Sequence, residues 1–115
     1  MITSEIHNHK NVLTFDNITK LNFLNIEEIA DFLEKKIMDS DHDLYLNLSG
    51  IEFIDSCALE KLLAVHKTGI SVKRMFKLFN LSEDLRELFI FTGISQQLDI
   101  TDSREVYQEK SMNIP

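Results

Sequence analysis

The sequence predicts an α/β fold in a single domain, residues 1–115, with a mixed β-sheet of four to five strands flanked by about four helices. Segments with apolar residues at strand spacing alternate with segments at helical spacing, in the order β-β-α-β-α-β-α-β-α. This order implies parallel strands joined by helical crossovers. A chain of 115 residues, of which 43% are hydrophobic, suits one domain with a core. Only the ends, about residues 1–4 and 111–115, are expected to be loose.

The first half of the chain predicts two strands, a helix and a third strand. The two strands lie around residues 5–9 and 12–18, with a polar stretch where they meet. Asn25 is predicted to cap the first helix, and the Asp-rich run at residues 39–43 to end it. The apolar stripe of this helix comprises Ile26, Ile29, Ala30, Leu33 and Ile37. Residues 44–48 then alternate as a half-buried strand does.

The second helix is predicted to follow a turn at Asp55 and Ser56 and to run from Cys57. Its stripe comprises Leu59, Leu62, Leu63 and His66. Gly69 is expected to end this helix in the left-handed conformation that glycine adopts readily.

A fourth strand at residues 75–79 precedes a third helix, which Ser82 is predicted to cap and Gly93 to close. The stripe of the third helix comprises Leu81, Leu85, Leu88 and Phe89. A last short strand at residues 97–101 and a weak terminal helix around residues 103–110 complete the predicted order.

Charge and cysteine content restrict the classes of partner and compartment. Twelve Lys and Arg against nineteen Asp and Glu give a net charge of −7, which disfavours nucleic acid and direct contact with an anionic membrane. A protein or small-molecule partner is expected instead. The single cysteine cannot form an internal disulfide, and the first residues lack the pattern of a signal peptide. We therefore expect the protein to be cytoplasmic.

The sequence contains no pattern typical of an enzyme or of a cofactor site. It has no nucleophile-base-acid arrangement and no Gly-rich phosphate-binding loop. The four histidines lack the spacing of metal ligands. The prediction is a non-enzymatic protein without metal or cofactor.

Ser56 is the leading candidate for a functional residue. It follows Asp55 at the predicted start of a helix, where the first backbone N–H groups lack partners and the helix dipole favours negative charge. A phosphoryl group on Ser56 would be stabilised locally there. The alternative is that Ser56 only caps the helix, a role that serine commonly fills.

Two stretches of the sequence carry a motif. The first is a strand followed by a turn that opens a helix, with Leu46, Asn47, Leu48, Asp55, Ser56 and Leu59. The second is the end of a later helix, with Leu85, Leu88, Phe89, Thr92, Gly93 and Ile94. With these residues, the segment 44–94 resembles a STAS domain of the anti-sigma factor antagonist type. In that family a strand with an Asn or Asp leads into an Asp-Ser segment that opens a helix, and a later helix ends in a Leu-x-x-Leu-Phe-x-x-Thr-Gly pattern.

The resemblance implies a partner switch. The unphosphorylated protein would bind a serine-kinase anti-sigma factor, which then phosphorylates Ser56 with ATP and is released; a phosphatase is a further candidate partner. Phosphate adds about −1.5 to −2 charges at pH 7, which opposes docking in a closely packed contact. The predicted partner-binding surface comprises Asp55, Ser56, Cys57, Ala58, Glu60, Lys61 and Ala64.

The resemblance leaves a second function open. The family has glycines two and four positions after the phosphorylated serine, where this chain has Ala58 and Glu60. The alternative is therefore a STAS subunit of a lipid-transport ABC complex. In that case the same helix face packs on the ATPase and no phosphorylation is needed.

Overall fold

The computed structural model describes residues 2–108 and places four helices and a mixed sheet in one α/β domain. The first half contains β1 (Ile2–His7), β2 (Lys10–Phe15), β3 (Lys20–Leu21), α1 (Ile26–Asp39), β4 (Asp43–Asn47) and β5 (Phe53–Ile54). The second half contains α2 (Ser56–Ser71), β6 (Phe76–Phe79), α3 (Glu83–Thr92), a short 3-10 turn (Ile94–Gln96), β7 (Asp99–Ile100) and α4 (Ser103–Tyr107).

Five strands form the main sheet in the order β1-β2-β4-β6-β7. β1 and β2 are antiparallel, whereas β2, β4, β6 and β7 run parallel to one another. The predicted mixed sheet of four to five strands is thereby confirmed. The sequence did not predict β3 and β5, which form a separate parallel pair of two residues each.

The first hairpin turns more tightly and begins earlier than predicted. Asn8 and His9 both have positive φ, of 52° and 65°, as the two central residues of a type I′ turn require. Residues 2–4, which were expected to be loose, belong to β1 and pair with β2. Residue 1 and residues 109–115, including the rest of both expected loose ends, lie outside the described residues.

The main core lies on the face of the sheet covered by α1 and α2. The predicted stripe of α1 is buried in full. On the other face Val12, Tyr45 and Phe79 form a smaller cluster, which Val106 of α4 covers. Tyr107 adds an edge contact to the Phe79 ring, with 5.9 Å between ring centroids.

Charged groups help to hold α4 on the sheet. The Lys77 ammonium lies 2.9 Å from the Glu105 carboxylate, and this hydrogen bond lowers the pKa of Glu105. Burial, with smaller effects of Glu105 and Asp43, raises the pKa of Tyr45 to about 12. The short terminal helix is therefore joined to the sheet by both apolar and ionic contacts.

The caps of α3 agree with the sequence, whereas the side chain of Asn25 acts differently. The Ser82 hydroxyl accepts a 3.2 Å hydrogen bond from the Leu85 N–H, and Gly93 is left-handed with φ of 79°. Asn25 precedes α1, but its side chain does not cap that helix. Instead it accepts from the Asn22 N–H and donates to the Lys20 carbonyl, so it fixes the loop before α1.

Gly69 does not end α2, and that prediction was wrong. The helix continues to Ser71, and Gly69 is buried inside it. A Cβ atom at Gly69 would lie 2.7 Å from the carbonyl oxygen of Arg74. The Gly69 carbonyl also accepts a 2.8 Å hydrogen bond from the Arg74 N–H. Glycine is needed here because the chain folds back closely onto the helix, and not because of a left-handed φ.

Candidate functional site

The start of α2 is positioned by the small β3–β5 ladder. The Glu52 N–H donates to the Thr19 carbonyl at 2.7 Å, and the Asp55 N–H donates to the Leu21 carbonyl at 3.0 Å. These bonds flank the pairing of β3 with β5. They bring the segment before α2 beside the loop that connects β3 to α1.

Asp55 is the N-cap of α2. Its Oδ1 accepts a 2.8 Å hydrogen bond from the Ala58 N–H, and its Oδ2 accepts a 2.9 Å hydrogen bond from the Phe23 N–H. One carboxylate thus satisfies an orphan donor of the helix and fastens the β3–α1 loop to it. The alternative in which Ser56 caps the helix is wrong, because the preceding residue fills that position.

Ser56 is the first residue of α2 and is exposed. Within residues 2–108 the structure gives its hydroxyl no hydrogen-bond partner, since Asp55 already takes the Ala58 N–H. The backbone N–H groups of a first helical turn point out of the helix end and attract negative charge. The hydroxyl of Ser56 is therefore accessible in a local field that favours an anion.

The structure brings most of the predicted partner-binding residues to one accessible face of α2. Ser56, Glu60 and Ala64 are exposed, whereas the half-buried residues of this set are Asp55, Cys57 and Lys61. Ala58 is different.

Ala58 is fully buried in the main core, so its predicted place on the accessible surface needs correction. It lies on the same side of the helix as the core residues Leu59, Leu62 and Val65. A small residue is required here because this turn of α2 packs directly into the core. The methyl group of Ala58 consequently does not alter the surface that a partner would approach.

The sequence did not predict three exposed apolar side chains near the start of α2. Phe23 is 68% exposed and Leu24 79% exposed, and both lie in the β3–α1 loop that Asp55 holds. Phe53, in β5, is 50% exposed. A large apolar residue just before a helix cap commonly packs back on the helix, so the position of Leu24 in the sequence favours burial of its side chain. The sequence signal for an exposed apolar patch was the adjacency of two large apolar residues, Phe23 and Leu24, in a loop.

Residues 2–108 contain neither a membrane-spanning helix nor a cluster of metal ligands. No helix there is both long enough and apolar enough to cross a membrane. In the same part of the chain, no group of three or more His, Cys, Asp or Glu side chains could hold a metal ion.

Comparison with known proteins identifies the family. The model of the STAS domain family matches residues 3–107, which is nearly the whole chain. The chain belongs to the STAS domain family. No curated protein sequence matches it significantly.

Solved structures share the STAS fold at low identity. An anti-sigma-factor antagonist (STAS) domain protein from Planctomyces limnophilus superposes with a TM-score of 0.79 at 19% identity, covering 91% of this chain and 92% of that one. The anti-sigma factor antagonist SpoIIAA in its unphosphorylated form gives 0.66 at 18% identity and 92% of both chains. SpoIIAA of Bacillus in the phosphorylated form gives 0.64 at 18%, covering 92% of this chain and 96% of that one.

The STAS fold also occurs within a larger membrane protein. The murine anion transporter Slc26a9 matches with a TM-score of 0.69 at 21% identity, over 83% of this chain and 16% of the transporter. At these identities the likenesses establish the fold alone.

Proposed function

We propose that this STAS protein is a cytoplasmic anti-sigma factor antagonist that works as a phosphorylation-controlled partner switch. In the unphosphorylated state the start of α2 binds a serine-kinase anti-sigma factor. That partner transfers phosphate from ATP to Ser56, and binding ends. The protein supplies the acceptor and the docking surface and carries out no catalysis. The main support is the exposed Ser56 hydroxyl, which remains unused because Asp55 caps the helix.

Electrostatics explains how phosphate would end binding. A phosphate on Ser56 adds about −1.5 to −2 charges next to Asp55, whose carboxylate is fixed by two N–H groups and cannot turn away. Glu60 is exposed one turn later on the same helix. A partner whose surface suits the unmodified patch would have to desolvate this added charge or meet it with cations. Dissociation therefore costs less free energy than keeping the phosphorylated patch inside the contact.

The apolar residues beside Ser56 supply the attraction that the switch interrupts. Phe23 and Leu24 are held beside the cap by the Asp55–Phe23 hydrogen bond, and Phe53 lies on the strand that leads to Asp55. Exposed aromatic side chains in a fixed position are typical anchors of protein interfaces. A phosphate at the rim of such an anchor would lie inside or next to the contact.

A phosphorylation assay with the recovered partner tests the proposal. The full chain with Ser56, Ser56→Ala or Ser56→Asp is used to capture a partner, which is then purified and incubated with the protein and ATP. We expect the first two proteins, but not Ser56→Asp, to retain a kinase-like protein, and mass spectrometry to place the phosphate on Ser56. Phosphate on another residue with Ser56 unmodified would overturn the assignment.

The same apolar surface favours one other candidate, the STAS subunit of a lipid-transport ABC complex. Phe23, Leu24 and Phe53 could pack permanently on an ATPase subunit, with no need for phosphate. In that case Ser56→Asp and Ser56→Ala would bind the partner equally well in calorimetry, and the captured protein would be a membrane-associated ATPase. The capture experiment therefore separates the two functions.

A further inference from the structure

The outer edge of the main sheet at β1 has no neighbouring strand within residues 2–108. β1 is six residues long, pairs only with β2 and contains no proline. Glu5 is its one acidic residue, and Ile6 is 55% exposed. Protected edge strands are usually short, charged or interrupted by proline. Glu5 is the one such feature that β1 has, so most of its backbone groups remain able to pair with another strand.

The register of the hairpin determines which backbone groups point outward. His7 pairs with Lys10 across the two-residue turn, and such a turn joins the carbonyl of the first residue to the N–H of the last. Hydrogen-bonded pairs alternate along an antiparallel ladder. Thr3, Glu5 and His7 therefore bond to β2. The N–H and C=O groups of Ile2, Ser4 and Ile6 face away from the sheet.

We propose that this edge binds the β1 edge of a second copy, antiparallel, around a two-fold axis at Ser4. Ser4 then pairs with Ser4, and Ile2 pairs with Ile6 of the second copy. All the outward backbone groups of both strands find partners in this register, and the two sheets become one continuous sheet. The interface uses neither α2 nor Ser56, so it is independent of the proposed function.

The side chains favour this register over its neighbours. A shift by one step toward the turn would place Glu5 against Glu5, and like charges directly opposite each other are destabilising. A shift the other way would leave Ile6 opposite no residue of the facing β1 strand, which begins at Ile2. In the register at Ser4, Glu5 opposes Thr3, and the exposed Ile6 is covered by Ile2 of the second copy.

Charge complementarity extends beyond the strand. An open groove of about 470 Å³ lies between β1 and α1, with Ile6 and Phe32 among its apolar residues. Its lining also includes Ser4 of β1 and Lys35, Lys36 and Asp39 of α1. Because Ser4 lines the groove, a two-fold axis at Ser4 brings the groove toward its own copy, where the cations of one copy can meet the anion of the other. A second copy thus fits the groove as well as the edge.

Light scattering coupled to size-exclusion chromatography tests the dimer, with Ser4→Pro and Ser4→Ala as a matched pair. Proline removes an N–H that does not bond to β2, and both variants lose the 2.8 Å bond from the Ser4 hydroxyl to Asn11. We expect the wild type and Ser4→Ala to approach twice the 13.4 kDa monomer mass as concentration rises. Ser4→Pro should remain monomeric while its circular dichroism is unchanged.

Disulfide trapping tests the register without relying on proline. In a Cys57→Ser background, Ser4→Cys places two thiols on residues whose Cα atoms lie about 5.5 Å apart, a distance that a disulfide spans. Thr3→Cys faces Glu5 of the second copy and serves as the control. We expect oxidation to cross-link the first variant at least roughly tenfold faster than the second. Equal cross-linking, or a wild type that is monomeric at every concentration, would overturn the proposal and leave the edge to another occupant.

Discussion

The Asp55 carboxylate accepts a 2.9 Å hydrogen bond from the backbone N–H of Phe23, which lies 32 residues earlier in the chain. The other oxygen of the same carboxylate caps α2 through the Ala58 N–H. One side chain thus determines both the start of the helix that carries Ser56 and the position of the apolar loop beside it. In the proposed function, Asp55 thereby links the stability of α2 to partner recognition.

Replacing Asp55 by alanine should destabilise the protein. The change removes the N-cap of α2, which costs about 0.5–2 kcal/mol of the free energy of unfolding, and it leaves the Phe23 N–H without its partner. Urea denaturation measures the loss. Ser56→Ala is the matched control, and we expect its free energy of unfolding to change by less than about 0.5 kcal/mol, because Ser56 is exposed and does not cap.

Asp55→Asn separates the two roles of the carboxylate. The amide oxygen can still accept from the Ala58 N–H, but the amide nitrogen cannot accept from Phe23. We expect a stability between those of the wild type and Asp55→Ala. Equal stability of Asp55→Ala and the wild type would contradict the capping role.

The helices and the main sheet could be predicted because each depends on local periodicity. The buried stripe of α1 and the caps of α3 at Ser82 and Gly93 lie where the sequence placed them. Gly69 was misassigned because a backbone contact with Arg74 decides its role. The pattern of residues around Gly69 is the same whether the glycine ends a helix or lies against a neighbouring carbonyl.

The candidate site could be predicted only in part. Asp55 and Ser56 stand out because a strand, a turn and a helix follow one another directly. The place of Phe23 in the candidate site depends on the pairing of β3 with β5. This ladder is two residues long and joins segments about thirty residues apart. No periodic pattern marks so short a ladder. The burial of Ala58 likewise depends on which side of α2 meets the core.

Arginine at Ala58 should destabilise the fold, whereas arginine at Ala64 should weaken partner binding. Ala58 is fully buried, so Ala58→Arg forces a long cation into the core and should cost about 3 kcal/mol or more of unfolding free energy. Ala64 is exposed on the same helix, and Ala64→Arg should leave stability within about 0.5 kcal/mol while weakening partner binding. Thermal unfolding compares the two; equal melting temperatures would contradict the burial of Ala58.

Alanine should be unfavourable at Gly69, although Gly69 lies inside a helix. Alanine normally gains up to about 1 kcal/mol over glycine in a helix interior. Here its Cβ would lie 2.7 Å from the Arg74 carbonyl oxygen. We expect a net loss of about 1–2 kcal/mol by urea denaturation. Lys67→Ala, at an exposed position of the same helix, should change stability by less than about 0.5 kcal/mol.

The contact of Glu105 with Lys77 should contribute stability that depends on pH. Because the folded pKa of Glu105 lies below its ordinary value of 4.5, the contribution is present above that pH and is lost as pH falls through the folded pKa. Glu105→Gln should therefore lower the free energy of unfolding near pH 7 by up to about 1 kcal/mol, since the pair is partly exposed. The difference from the wild type should shrink below pH 4.5. A difference that is constant between neutral and acidic pH would contradict the ionic contribution.

Serine at Phe23 or Leu24 should weaken partner binding without reducing stability. These side chains are 68% and 79% exposed, so their removal costs the folded protein little, whereas each lost anchor should cost more than about 1 kcal/mol of binding free energy. Phe91→Ser is the matched control, because Phe91 is 90% exposed on α3. Calorimetry against the captured partner measures the effect. If only Phe91→Ser reduces affinity, the partner binds at α3 and the proposed binding surface beside Ser56 is wrong.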